Sequence, residues 1–192
     1  MRQFNEEETI ELALDLFWRQ GLAATSMPDL AEATGVQRGS LYNAYGSKNA
    51  VFLRAFDIYA ARFLEAARAA LDRADPEEAL STFFAVAIAN MTSGTPSRGC
   101  LATKTAMEIG GHGQKIRNRV RKLLEDLEAS VQTALSPPER ARGLSLAPAQ
   151  AAQMIVTFTR GLAVMERVYR DPLRLKQSAE ALVQLLIAQH PK

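Results

Sequence analysis

The apolar positions of this chain recur at helical steps almost throughout, and no stretch alternates as a half-buried strand would. Ile10, Ala13, Leu14, Phe17 and Trp18 follow one another at three- and four-residue spacing, and Asn5 with Glu8 forms a capping-box start, which predicts a first helix over about 6–19, ended by Gly21. Ser26 with Asp29 repeats the capping box, with Pro28 tolerated in the first turn, and predicts a second helix over about 27–34 that stops at Gly35. A very short third segment runs from Arg38 to Ala44 and ends at Gly46. Ser47 then caps a long pattern from Lys48 to about Arg73, with Val51, Phe52, Ala55, Phe56, Tyr59 and Phe63 on one face. Pro76 to Met91 is apolar nearly all round, as expected of a helix buried on most sides. Beyond the loop chemistry of Thr92 to Gly99, helices are expected over 101–109 and 114–135, the latter stopped by Ser136-Pro137-Pro138. Residues 139–147 read as a linker, Pro148 opens a helix to about Arg170, and Pro172 a last one to about Gln189. The expected fold is all-α, with about nine helices.

Composition narrows the class. With 192 residues, 47% hydrophobic and 23% charged, the chain can bury one substantial core, or a small domain beside a larger one, without staples. The longest strictly apolar run is the seven residues Phe83 to Ala89, against the roughly 20 that a membrane-spanning helix needs. The N-terminal MRQFNEEE carries acids where a signal peptide would be apolar, so a cytoplasmic protein without membrane contact is expected. A single Cys100 excludes an internal disulfide and a cysteine-based zinc site and fits a reducing compartment; no cofactor loop and no metal-ligand spacing is found. The net charge of +2 says little as a sum, but its distribution does. Residues 1–37 hold two basic and seven acidic residues, whereas Arg38 to Ala55 holds three basic residues and no acid.

That acid-free segment follows two short helices joined through Gly35-Val36-Gln37. A Gly-containing turn of this length sets two helices at a steep angle and exposes one face of the second, the geometry of a helix-turn-helix whose second helix enters the DNA major groove. Leu30, Ala31 and Val36 would pack the unit and Leu41 would anchor the second helix. Arg38, Ser40, Tyr42, Asn43 and Tyr45, with Lys48 on the next helix, would offer donors to phosphates and base edges. Core aromatics are the competing reading of Tyr42 and Tyr45, though both hydroxyls would then need partners.

The stretch TSMPDLAEATGVQRGSLYNAYGSKNAVFLRAF is similar to the N-terminal signature of the TetR family of transcriptional regulators, over residues 6–56, with Gly39-Ser40-Leu41-Tyr42 as the recognition-helix core. The resemblance implies that Tyr42, Tyr45 and Lys48 hold phosphates while Arg38, Ser40 and Asn43 lie near base edges. The expected DNA-contacting set is therefore Ser26, Gln37, Arg38, Gly39, Ser40, Tyr42, Asn43, Tyr45 and Lys48. Gln37 departs from the family's pattern, which has a small hydroxyl residue there; Gln caps a helix less well, so another group satisfies those amides or the helix starts later. The resemblance divides the chain into a DNA-binding domain over 1–47 and a ligand-binding and dimerisation domain over 48–192. It implies a homodimeric regulator, most often a repressor, that binds a near-palindromic double-stranded DNA operator and is released by a small-molecule inducer.

The C-terminal chemistry is compatible with that. The last two predicted helices carry apolar surface beyond what one core needs, so Met154, Phe158, Leu162, Met165, Leu182 and Leu186 are expected at a dimer interface. Phe63, Phe84, Met91, Cys100, Thr103, Met107 and Phe158 are candidates to line a cavity for an apolar or aromatic inducer, with Thr103, Glu108 or Arg160 as polar anchors. Cys100 precedes a helix N-terminus beside Arg98, where the dipole would favour thiolate; a redox- or electrophile-sensing regulator is the alternative reading, and a buried structural thiol the plainer one. His112, between two glycines, reads as a loop residue, and Lys115 to Lys122 as a solvated helix face. Two other classes compete with a regulator: a helical enzyme using Cys100, for which no His is placed as activating base, and a helical adaptor using its apolar faces for protein contacts alone.

Overall fold

The computed structural model describes residues 5–108, 110 and 113–188. Among them ten helices form: α1 Glu6–Gln20, α2 Met27–Thr34, α3 Arg38–Tyr45, α4 Lys48–Leu71, α5 Pro76–Thr92, α6 Leu101–Glu108, α7 Gln114–Leu135, α8 Pro138–Ala141, α9 Pro148–Tyr169 and α10 Pro172–Leu186. Local chemistry starts several of them. The Asn5 side chain accepts from the Glu7 and Glu8 amides, Asp75 from Glu78, and Asp171 from Leu173 and Arg174, each satisfying first-turn donors that the helix itself leaves open.

Two expectations change at the C-terminal end. The stretch 139–147 is not all linker, because Pro138 opens the four-residue α8. The last helix stops at Leu186, short of Gln189, because Ile187 turns extended and pairs antiparallel with Leu144. Ser145 N–H donates to Leu186 O at 2.8 Å and Ala188 N–H to Gly143 O at 2.9 Å, so the pairing satisfies backbone groups that a longer helix would have used internally. The expected helix end at Ile109, the Gln189 boundary, and His112 and His190 lie outside the described residues.

The chain divides into two compact units, one from 1–62 with 100–121 and the other from 63–99 with 122–192. The expected reading segment 1–47 falls inside the first unit, which also takes in the first part of α4, all of α6 and the start of α7. Its core is an aromatic chain along α1 and α4. Phe17 meets Phe52 edge-on at 5.1 Å, Trp18 meets Tyr59 at 5.0 Å, and Phe56 lies 5.6 Å from Phe52 and 5.7 Å from Tyr59. Edge-to-face pairs of this kind are worth about 0.5–1.5 kcal/mol each beyond their burial. α1 packs on α2 and α2 on α3.

In the second unit α5 packs on both α9 and α10, around buried Phe83 and Phe84, with Phe158 edge-on to Phe84 at 6.0 Å. Glu166 of α9 is 3% exposed and accepts a hydrogen bond from the Ser97 hydroxyl, in a loop that contains a cis Thr95–Pro96 bond. Met154, Val164, Met165 and Val168 of α9 and Leu173 and Leu185 of α10 remain exposed. Among the described residues no helix is long and apolar enough to cross a membrane, and no cluster of His, Cys, Asp or Glu is placed to hold a metal.

Candidate nucleic-acid interface

The α2–α3 pair is built by closing one helix and leaving the next open. Ser26 caps α2 with a complete capping box: its hydroxyl accepts from Asp29 N–H at 3.3 Å, and the Asp29 carboxylate accepts from Ser26 N–H at 2.8 Å. Hydrogen bonding to the carboxylate itself, from the Ser26 side chain first and its backbone N–H second, holds the Asp29 carboxyl below its ordinary value. Gly35 ends α2 in the left-handed region at φ 66, where a side chain would be strained. Thr34 donates to Leu30 O at 2.6 Å and accepts from Val36 N–H at 3.3 Å, bracing the turn.

α3 starts at Arg38, and the Gln37 side chain makes no cap bond to it. Backbone pairing begins with Ser40 N–H and Leu41 N–H, both donating to Gln37 O, so the first-turn amides at Arg38 and Gly39 point out of the N-terminal end as in any helix. Leu41 is the buried residue of α3, fixing the rotation of the helix. Arg38, Gly39, Tyr42 and Asn43 are exposed and Ser40 half-buried. The Arg38 guanidinium lies 5.6 Å from the centre of the Tyr42 ring, the two side chains forming one cationic and aromatic surface. A methyl group added at Gly39 would meet nothing within 4 Å, so no neighbour in the chain requires a glycine in this helix.

Two of the expected phosphate ligands are engaged differently. The Tyr45 hydroxyl is shielded from solvent, and burial pushes its phenol up from the ordinary value, with Glu6 adding to the shift and Arg54 opposing it. Lys48 is half-buried and its Nζ donates to Leu22 O at 2.8 Å, leaving two of its three protons for other partners. Glu108, expected as a cavity anchor, instead accepts from the Leu22 and Ala23 amides at 2.9 and 3.0 Å, next to the reading helices. Sequence reasoning missed this role, because the partner groups are backbone amides far away along the chain.

The expected cavity residues fall in both units. In the first, Cys100 is buried with its Sγ 3.6 Å from the Tyr59 hydroxyl, Thr103 is buried, and Met107 is 75% exposed rather than enclosed. In the second, Phe63, Phe84 and Met91 are buried and Phe158 half-buried, with Phe84 and Phe158 in contact. Arg160 turns its guanidinium to Thr159 Oγ1 at 3.0 Å. Phe84 also lines a groove of about 430 Å³ between α5 and α10, with Ala85, Ile88, Pro172 and Val183 and the polar Ser81, Thr92, Lys176 and Glu180. Of the residues expected at a dimer interface, Met154 and Met165 are exposed and Phe158 half-buried. Leu162, Leu182 and Leu186 are buried inside the chain, because the packing of α5, α9 and α10 uses that side of each helix.

Comparison with known proteins agrees with this geometry. Residues 10–55 match the family described as bacterial regulatory proteins of the tetR family, and residues 76–182 match the tetracyclin repressor-like C-terminal domain. The chain is 32% identical over 143 residues to the HTH-type transcriptional repressor ComR of Escherichia coli, covering 73% of this chain and 67% of that one. It is 37% identical over 79 residues to the repressor KstR2 of Rhodococcus jostii, covering 39% of each. Its fold matches E. coli NemR in the reduced form with a TM-score of 0.84, at 19% identity over 95% of this chain and 96% of that one. It equally matches a cysteine mutant of the regulator CifR solved with a 26-bp operator DNA, with a TM-score of 0.84 at 22% identity over 97% and 98% of the two chains. An exposed, acid-free second helix on a capped first one, together with sequence matches over both the reading segment and the C-terminal helices, places the chain in the TetR family of DNA-binding transcriptional regulators.

Proposed function

We propose that this regulator is a homodimeric repressor that reads a near-palindromic operator with α3 and releases it when a small apolar or aromatic inducer binds. The observation that carries the DNA-reading part is Gly39. A glycine inside a helix costs about 0.5–1 kcal/mol relative to alanine, and since nothing in the chain occupies the space beside it, close approach of an outside backbone is what gives it a use. The open α3 N-terminus has the same logic, because a phosphate oxygen there would supply the cap that Gln37 does not. In a two-fold dimer the paired recognition helices would sit about 34–36 Å apart or a multiple of it, matching half-sites on one face of the duplex. Met154, Met165 and the other exposed apolar side chains of α9 and α10 favour pairing through those helices. The groove beside Phe84 is large enough for a small molecule. An inducer coupling of about 1–3 kcal/mol would weaken operator binding about 5- to 150-fold.

The test is a mobility shift with the DNA upstream of the chain's own gene against random duplexes. Sequence preference is expected; its absence would leave the adaptor reading in place. Tyr42→Phe should weaken binding to every duplex alike, whereas Arg38→Ala should relax preference at one operator position. An unchanged base preference in the Arg38 variant refutes its assignment to a base edge.

A second reading is favoured by two observations. Cys100 immediately precedes α6 with its sulfur against the Tyr59 hydroxyl, and NemR, which shares the fold, was solved in a reduced form. Oxidation or alkylation at Cys100 would have to displace that contact, which would disturb α6. Cys100→Ser with undiminished release of DNA by oxidants removes this reading.

A further inference from the structure

The turn Gly21–Thr25, which joins α1 to α2, is tied from several directions within the first unit. Two of the ties come from α6, one helical turn apart. Lys104 Nζ donates to Trp18 O at 2.6 Å and Arg19 O at 3.1 Å, placing a cation on the carbonyls that the last turn of α1 leaves open. Glu108 accepts from the Leu22 and Ala23 amides just beyond. The Leu22 backbone is therefore held at its N–H from α6 and at its carbonyl from Lys48 of α4, while Thr25 Oγ1 closes the turn onto Gly21 O at 2.6 Å. Gly21, at φ 89, permits this closeness: a Cβ there would overlap Glu108 Oε1 and lie 3.2 Å from Lys104 Cδ.

We propose that Lys104 and Glu108 are positioning residues for DNA reading, a charged clamp by which α6 fixes the α1–α2 turn and thereby the seat of α3. Ser26, the cap of α2, is one residue past the clamped turn, and α2 carries α3 on its packed face. Base-edge contacts need their side chains within about 0.5 Å of the productive position, while phosphate contacts tolerate more slack. Releasing the turn therefore costs sequence-specific binding and spares non-specific binding. The same arrangement makes α6 the element whose displacement would be felt at α3, because its first residue follows Cys100, packed against Tyr59, and its last is Glu108.

The proposal rests on DNA reading by α3, so the wild-type chain is first used to select a preferred duplex from a random library. Failure to select one refutes the reading role and the clamp's purpose with it. Glu108→Ala, Glu108→Gln and Lys104→Met are then compared on the selected and a scrambled duplex, with circular dichroism, thermal midpoint and amide exchange measured on each. Glu108→Ala is expected to bind the selected duplex about 10-fold more weakly with unchanged affinity and salt slope on the scrambled one, and with faster exchange at Leu22 and Ala23. Glu108→Gln, which keeps an acceptor oxygen, recovers part of the loss, and Lys104→Met shifts affinity in the same direction by less. Unchanged affinity for the selected duplex overturns the proposal, as does a parallel fall on both duplexes accompanied by loss of helix. If Glu108→Ala does not fold, the isosteric Glu108→Gln decides: faster exchange at the two amides with undiminished preference for the selected duplex refutes the clamp.

Discussion

α2 and α3 are both eight residues long and lie three residues apart, yet they are stabilised in opposite ways. α2 closes its own N-terminus with the reciprocal Ser26–Asp29 pair, ends in a left-handed glycine and buries Met27 and Leu30. α3 has no acid in its first turn and no side-chain cap, and buries Leu41 alone. An isolated helix of eight residues is unstable in water, so each needs outside support; α2 takes it from caps and core, α3 from a single leucine and from whatever meets its open face. The contrast shows how a reading helix is made: its polar groups are left unspent so that a duplex can use them, and the adjoining helix carries the cost of holding it.

The hardest test of that contrast is Leu41→Ala. Truncating a fully buried leucine costs about 2–5 kcal/mol, and here it removes the anchor of α3, so chemical denaturation should show that loss and specific DNA binding should disappear even where the chain still folds. A cost below about 1 kcal/mol would mean that α3 is held by something other than Leu41. Next in size is the cap. Ser26→Ala should destabilise by about 1 kcal/mol, while Gln37→Ala should cost no cap energy because Gln37 supplies none; equal losses would erase the distinction between the two helix starts. Gly39→Ala then separates stability from function by sign. The variant should gain about 0.5–1 kcal/mol, because the added methyl meets open space, and bind the operator more weakly. Tighter binding together with higher stability would show that Gly39 makes no close approach to DNA.

What could be read from the chain follows from the range of the interactions concerned. The starts of α2, α5 and α10 were legible because the Ser26–Asp29 pair, Pro76 and Pro172 mark them within the first turn of the helix concerned. The exposed face of α3 was legible because Leu41 fixes which side is inward. The pairing of Leu144 with Ile187 was not, since it joins stretches far apart in sequence through backbone groups that every residue carries. Glu108 escaped for the same reason: its partners are the amides of Leu22 and Ala23, some 85 residues away, and an amide leaves no mark on the sequence. The bond from Lys48 to the Leu22 carbonyl was not legible either, because a lysine beside a turn carbonyl looks the same in one dimension as a lysine beside solvent. Leu162, Leu182 and Leu186 show a further limit, because apolar periodicity marks a face to be buried without saying whether the chain's own core or a second copy buries it.

The smallest expected effect is also the most selective, because it should appear in α2 and be absent from α3. Hydrogen bonds from the Ser26 side chain and then its backbone lower the Asp29 carboxyl from the ordinary 3.8, with burial opposing and Lys48 adding slightly. A carboxyl depressed in the folded state contributes stability that is fully present above the unfolded value and is lost as pH falls through the folded one. As pH is lowered below 3.8, the Ser26 amide, which donates to Asp29, should therefore lose protection first while the amides of α3, whose first turn carries no acid, keep theirs. Asp29 lies at the surface, half-buried, so the change should be local, seen in amide shifts and exchange more than in global unfolding. Asp29→Asn retains an acceptor and should flatten the response across that range. If the α3 amides followed the same titration in the native protein and not in the Asn variant, the two helices would be one cooperative unit, and the independence of the mounting helix from the reading helix would be lost.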